Sequence, residues 1–156
     1  MTSAFTILIG PTTVELIERD GGKLLHDHWD EVAKHKDVMV LRPRWEAYQR
    51  MQAANQLFSI GAWDDEHGLI GYSVSFISAH MHYGSLVYAQ NDVLFVTPEH
   101  RKTSVGIKLM RATEAEAKHR GAKLMLWHAK EGSRLDDLLS RMSGYGVQDI
   151  IYSKRL

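Results

Sequence analysis

Within Asp92–Ile107 an apolar strand end, a proline turn, a basic loop of small residues and a helix start follow one another with no linker between them. Val93-Leu94-Phe95-Val96 supplies the strand, and Thr97-Pro98 stops it, because proline has no N–H to give to a ladder. Ser104-Val105-Gly106-Ile107 then opens a helix. A chain that turns from strand to helix this tightly stacks helices on a sheet. The same segment suits an anion such as a pyrophosphate: the first N–H groups of a helix lack intrahelical partners and carry partial positive charge. Arg101 and Lys102 add full charges at the mouth.

Elsewhere the pattern alternates between the two periods. Phe5–Ile9 reads as a short strand closed by Gly10-Pro11, and Thr12 or Thr13 caps a helix from Val14. Leu16, Ile17, Leu24, Leu25, Trp29 and Val32 give a helical stripe to about His35. Gly21-Gly22 interrupts it, which predicts a kink or two helices. Pro43 suits the first turn of a helix over about Arg44–Gln56. The period then becomes strand-like over Leu57–Trp63, over Leu69–His80 with Ile70, Tyr72, Val74 and Phe76 alternating, and over Leu86–Val96. Turns fall at Asp64–Gly68 and Tyr83-Gly84-Ser85. Ser104–Arg120 reads as a helix with Gly121 as its left-handed stop. Ala122–His128 reads as a strand buried on both faces, hence central. A short helix over Ser133–Ser143, ended by Gly144, precedes a last strand over Val147–Ser153. The order β α α β β β α β α β is of the α/β (α+β) class, a mixed sheet with helices on its faces. The length fits one domain, 1–156, within the usual span of about 100–200 residues.

Composition excludes several functions. Nineteen basic and 19 acidic residues leave a net charge of zero, so no broad nucleic-acid footprint is expected. Cysteine is absent, which rules out disulfides, thiolate metal ligands and a cysteine nucleophile, and fits a reducing cytoplasm. Met1–Gly10 lacks the basic and long apolar regions of a signal peptide, and no run approaches the ~18 apolar residues of a membrane span.

Val96-Thr97-Pro98, then Arg101-Lys102-Thr103-Ser104-Val105-Gly106, resemble the GNAT family of acyl-CoA-dependent N-acyltransferases. Its signature is a strand ending V-x-P, a short gap, then R/Q-x-x-G-x-G/A opening a helix. The element order resembles that family's fold over essentially the whole chain. Asn91–Leu109, with His80-Met81-His82-Tyr83 upstream, looks most like a branch common in phages and bacteria. The resemblance implies a mostly antiparallel sheet of about six to seven strands, splayed between the fourth and fifth, with about four helices. Ser104 departs from the pattern, standing where the family has glycine. Serine still offers its N–H but takes positive φ less readily.

The resemblance also implies a donor, acetyl-CoA, and a chemistry. The backbone of Leu94, Phe95 and Val96 would pair with the pantetheine arm as a pseudo-strand. The amides of Arg101, Lys102, Thr103, Ser104, Val105, Gly106 and Ile107 would hold the pyrophosphate, with Lys102, Lys108 and Arg111 surrounding the phosphates. Asp92 falls where family members place a carboxylate that acts as a base through water. The alternative for Asp92 is a polar strand residue bonding a neighbour's backbone, and a bulge would bring Gln90 inward instead. Ser140 falls where many relatives have a tyrosine acid, and would contact the cofactor sulfur or be a plain helix serine. Ser133 falls where the family often has an asparagine on the pantetheine, and equally suits a helix N-cap.

The implied partner is a small-molecule or protein amine. Trp29 and Trp45 lie on helices that wall the acceptor cleft in this fold, and are otherwise core aromatics. His80 and His82 share a strand face and either belong to the acceptor cleft or form a surface pair. With no third ligand at matching spacing, no metal is expected. His128 ends a strand beside the splay and touches substrate or cofactor, or is a satisfied strand-end residue. His26 and His28 diverge on a helix and read as solvated. Pairing of two copies through an edge strand would be ordinary for this fold. The serines at 104, 133 and 140 raise a competing reading, a GNAT-fold binding or accessory protein that has lost turnover.

Overall fold

The sheet of the computed structural model, which describes residues 6–156, has five strands in the order β1-β2-β3-β4-β5. They are β1 (Ile7–Thr12), β2 (Leu57–Asp64), β3 (Gly68–Ala79), β4 (Val87–Val96) and β5 (Leu124–Leu126). The first four pair antiparallel and β5 pairs parallel to β4. Five α-helices accompany them: α1 (Val14–Asp20), α2 (Gly22–Val32), α3 (Trp45–Ala53), α4 (Val105–His119) and α5 (Arg134–Arg141). The mixed, mostly antiparallel sheet expected from the sequence is therefore present, with five strands in place of six to seven and five helices in place of about four.

Local chemistry explains most boundaries. Thr13 caps α1, its hydroxyl accepting from the N–H of Leu16. The glycine pair divides the first helical stretch in two. A Cβ on Gly21 would sit 2.5 Å from the Ile17 carbonyl oxygen, so only glycine fits that junction. Gly121 takes φ +92° after α4, the left-handed stop its position predicts. Pro43 was expected in the first turn of α3, but Arg44 is the cap with non-helical φ −88° and ψ 70°, so Pro43 precedes the helix. β1 runs on through Gly10-Pro11, and Pro11 is tolerated because β1 is an outer strand. Phe5, expected to open that strand, lies outside the described residues.

The core lies on both faces of the sheet. On one face α1, α2 and α3 cover Leu57, Leu69, Tyr72, Val74 and Phe95, with Val14, Ile17 and Leu24 supplied by the helices. On the other, Val105 and Leu109 of α4 pack on Ile60, Ala62, Ile70 and Val96. Each such aliphatic side chain contributes roughly 1.5–3 kcal/mol by leaving water. Glu114 of α4 accepts from the Trp127 indole at 2.9 Å and the Tyr145 hydroxyl at 2.6 Å, tying the segments around β5 and α5 to that helix.

Two expectations fail together. Ala122–His128 was expected to be a central strand, yet only Leu124–Leu126 pairs and Leu124 is 38% exposed. The expected last strand over Val147–Ser153, which would have covered it, does not form. Val147, Ile150, Ile151 and Tyr152 are exposed. Their spacing explains this: the apolar residues do not alternate, so neither strand face would be uniformly apolar. Arg155 instead pairs with Asp37 at 2.6 Å, beside the connection between α2 and α3.

Candidate active site

The site begins with an irregularity in β4. Val93 pairs with Val74 and Asn91 with Ser75, so Asp92 is an extra residue, a bulge with no partner in β3. Freed from the ladder, Asp92 lines a cavity of about 310 Å³ between the sheet and the α1–α3 layer. There its carboxylate accepts a 2.5 Å hydrogen bond from the hydroxyl of Tyr48 in α3. Gln90, the alternative inward residue, pairs with Leu126 of β5 and does not line this cavity.

One residue before the bulge, β4 and β5 part. Their pairing ends at Gln90–Leu126. The buried side chain of Asn91 then reaches across, accepting from His128 N–H at 2.5 Å and donating to the His128 carbonyl at 3.3 Å. Beyond that amide no strand pairs with β4 on its β5 side among the described residues. Thr97 N–H bonds to the Ile70 carbonyl, so by the alternation of an antiparallel ladder the main-chain groups of Phe95 and Val93 face β3. Those of Leu94 and Val96 face the split. The expected trio is thus reduced to Leu94 and Val96, with Phe95 committed to the sheet.

At the mouth, a 3-10 turn at Pro98–His100 leads into α4. The N–H groups of Ser104, Gly106 and Ile107 have no hydrogen-bond partner among the described residues, while Val105 N–H reaches the Thr103 hydroxyl at 3.3 Å. Ser104 sits at φ −78°, a conformation any residue adopts, so the missing glycine costs nothing in backbone strain. A Cβ on Gly106 would meet nothing within 4 Å. Free donors facing open space at a helix start fit a diphosphate. Lys102 is exposed there. Arg101 is not free as expected. Its guanidinium grips Glu31 of α2 at 2.7 and 3.0 Å, its Nε donates to the Val96 carbonyl at 2.7 Å, and it lies 5.1 Å from the Phe95 ring centroid. It fastens the loop after Pro98 to the helical layer.

The cavity wall carries a residue the sequence reading missed. His28, expected to be solvated, stacks on Phe95 with centroids 5.0 Å apart, and its Nδ1 lies 3.4 Å from the Tyr72 hydroxyl. Burial holds its pKa below the ordinary imidazole value, outweighing the attraction of Glu31. Trp29 lines the same cavity, as does Trp45, and the Trp29 indole donates to the Met39 carbonyl at 2.5 Å. Burial, reinforced by Asp92, pushes the Tyr48 hydroxyl above its usual pKa, and burial does the same to Tyr72. Both are hydrogen-bond donors at neutral pH.

Other expected residues have local partners. β3 ends at Ala79, so His80 and His82 belong to the following turn, where His80 Nδ1 accepts from the N–H groups of His82 and Tyr83. Neither lines the cavity. Ser133 is the N-cap of α5, accepting from Asp136 N–H at 3.2 Å. Ser140 is exposed and its hydroxyl donates to the Asp137 carbonyl in its own helix. Asp64, His67 and His100 bring one potential metal-ligand atom each within 4.8 Å of one another, a grouping the sequence spacing did not predict. Hydrogen bonds account for it: His67 Nδ1 meets Asp64 at 2.8 Å, and His100 Nδ1 meets the Thr97 hydroxyl at 2.8 Å.

Comparison with known proteins agrees with this arrangement. The family model "Acetyltransferase (GNAT) family" matches residues 23–144. No curated protein sequence matches the chain. Among solved structures, ribosomal-protein-alanine N-acetyltransferase from Brucella melitensis biovar Abortus 2308 superposes with TM-score 0.71 at 15% identity, covering 97% of this chain and 99% of that one. An aminoglycoside acetyltransferase from an uncultured soil metagenomic sample, in complex with sisomicin, gives TM-score 0.72 at 18% identity, covering 96% of each chain. An aminoglycoside N-acetyltransferase in complex with CoA gives 0.65 at 18% identity, covering 100% and 99%. At such identities these three speak for the fold alone.

Proposed function

The chain belongs to the GNAT acetyltransferase family, and from that premise we propose that residues 1–156 act as one N-acetyltransferase domain that acetylates a primary amine by direct attack in a ternary complex. The enzyme is an acyltransferase whose donor is acetyl-CoA, which supplies an acetyl thioester as the electrophile. With no cysteine in the chain, no thiol is available to carry an acyl group, which favours transfer in one step.

The observation that carries this reading is the bulge at Asp92, directly beside the opening between β4 and β5. An alkylamine has a pKa near 10.4 and reaches neutral pH as ammonium. Asp92 pairs with that charge and takes the proton through water as a general base. Tyr48 fixes the carboxylate by donating to it. The N–H groups of Leu94 and Val96, aimed into the split, are the donors available to an arm lying there and to developing negative charge on a carbonyl oxygen. The amides of Ser104, Gly106 and Ile107 hold the diphosphate, and Lys102 adds charge. A thiol leaving group with pKa near 8.5 departs without a protein acid, so Ser140 need take no part. The cysteine-free composition suits the reducing cytoplasm as the compartment.

The test is thiol release from acetyl-CoA with a panel of primary amines. Turnover that falls at least about a hundredfold in Asp92→Asn, at unchanged coenzyme affinity, supports the reading. Coenzyme binding without turnover on any amine would favour the accessory role.

A further inference from the structure

We infer that the acceptor is a monoamine carried on an apolar, preferably aromatic, body, and that the cleft rejects polycations. This rests on the acyl-transfer reading above. The cavity is about 310 Å³, near the small end of the ~300–1,000 Å³ range for ligand sites. Among the described residues, Asp92 is its sole carboxylate and Arg42 its sole permanent cation. Burial disfavours the charged form of His28 as well. One ammonium is therefore matched, while a second meets no carboxylate and faces Arg42. A charge taken from water without a partner is costly. The groove beyond Pro43 and Trp45 offers no surplus either: Glu18 and Glu46 are balanced by Arg44 and Arg50.

The walls also offer little of what a sugar or polyol needs. Trp29 spends its N–H on Met39, Tyr48 its O–H on Asp92, and the Tyr72 hydroxyl lies against His28. With their polar ends occupied inside the protein, these aromatics present ring faces and edges. Val14, Ile17, Leu25 and Val93 complete an apolar lining. Such a surface gains from burying hydrocarbon and offers few free groups to read hydroxyls. Fold likeness to aminoglycoside acetyltransferases does not carry their substrates here, because substrate is set by the site.

The experiment compares phenethylamine, tryptamine, spermidine and kanamycin by thiol release at saturating acetyl-CoA, with calorimetric binding of phenethylamine and spermidine to the CoA-loaded enzyme. The expected result is a kcat/KM for the arylalkylamines at least tenfold above that for spermidine or kanamycin. Val40 lines the cavity and is 68% exposed, so Val40→Glu adds a carboxylate without disturbing the core. It should shift the spermidine-to-phenethylamine kcat/KM ratio at least fivefold toward spermidine. Phenethylamine binding without thiol release from any amine would sustain this inference and defeat the acyl-transfer reading. Equal or better use of spermidine or kanamycin, or no binding of phenethylamine, overturns the inference.

Discussion

The hydroxyl of Tyr48 donates to the carboxylate of Asp92 at 2.5 Å, joining α3 to the bulge in β4. On the proposed reading, α3 thus orients the group that meets the amine. Tyr48→Phe keeps the ring that stacks on Phe76 and removes only the donor. A hydrogen bond to a charged group is worth about 1.5–3 kcal/mol. We expect kcat to fall roughly 10- to 100-fold, with KM for acetyl-CoA unchanged; steady-state kinetics on both substrates decide this.

Gly106 separates stability from binding. Its Cβ position is open and it lies in the first turn of α4, so a Gly106→Leu side chain starts into free space in the unliganded protein. Replacing a helical glycine gains up to about 1 kcal/mol. The variant should melt at or slightly above the parent temperature, yet bind CoA at least tenfold more weakly. Calorimetric titration and thermal melts on the same samples test both halves.

Arg101 should behave as a fastener. Arg101→Lys loses the fork that grips Glu31 at two points and the Nε bond to Val96, and lysine cannot restore either geometry. Glu31 is partly exposed, so the loss is modest, about 1–2 kcal/mol. At about 2–4 °C per kcal/mol for a chain of this size, the midpoint should drop by roughly 2–8 °C. A melt within 1 °C of the parent would refute the structural role.

His28 gives stability an acid limb. Its folded pKa is lowered by burial, so the unfolded chain binds the proton more readily. The contribution is complete above the unfolded value near 6.5 and is lost as pH falls through the lower folded value. Denaturant midpoints should rise from pH 5 to pH 6.5 and then level on account of this group. His28→Phe, keeping the stack on Phe95, should flatten that limb. His67 opposes it: hydrogen bonding to Asp64 raises its pKa, so its contribution is full below about 6.5 and fades as pH climbs through the raised value.

The strand–turn–helix unit around Pro98 was legible because its signals are local: apolar run, proline, small basic loop and glycine lie within one segment. The helix start with its unpaired amides lies in that unit, whereas the choice of Asp92 came from the family resemblance. His28 was not read because two histidines two apart were judged only against each other. Leu24, His28 and Val32 share one helical face at a spacing of four, a signal that was present. Tyr48 likewise repeats from Trp45 at three. The role of Arg101 depends on Glu31, seventy positions away, which no local pattern encodes. The unformed last strand shows the reverse error, since β-prone residues without alternation do not make a two-faced strand.

Asn91 halts the zipping of β4 to β5 with a single tooth. A primary amide offers the same donor and acceptor as a peptide unit, so it satisfies His128 at the fork without spending main chain. The gap beyond is consequently built in and need not be prised apart when a guest arrives. Little of the affinity for that guest is then consumed in rearranging the host. A change at position 91 would alter where the seam stops, and with it how deep a visitor can reach.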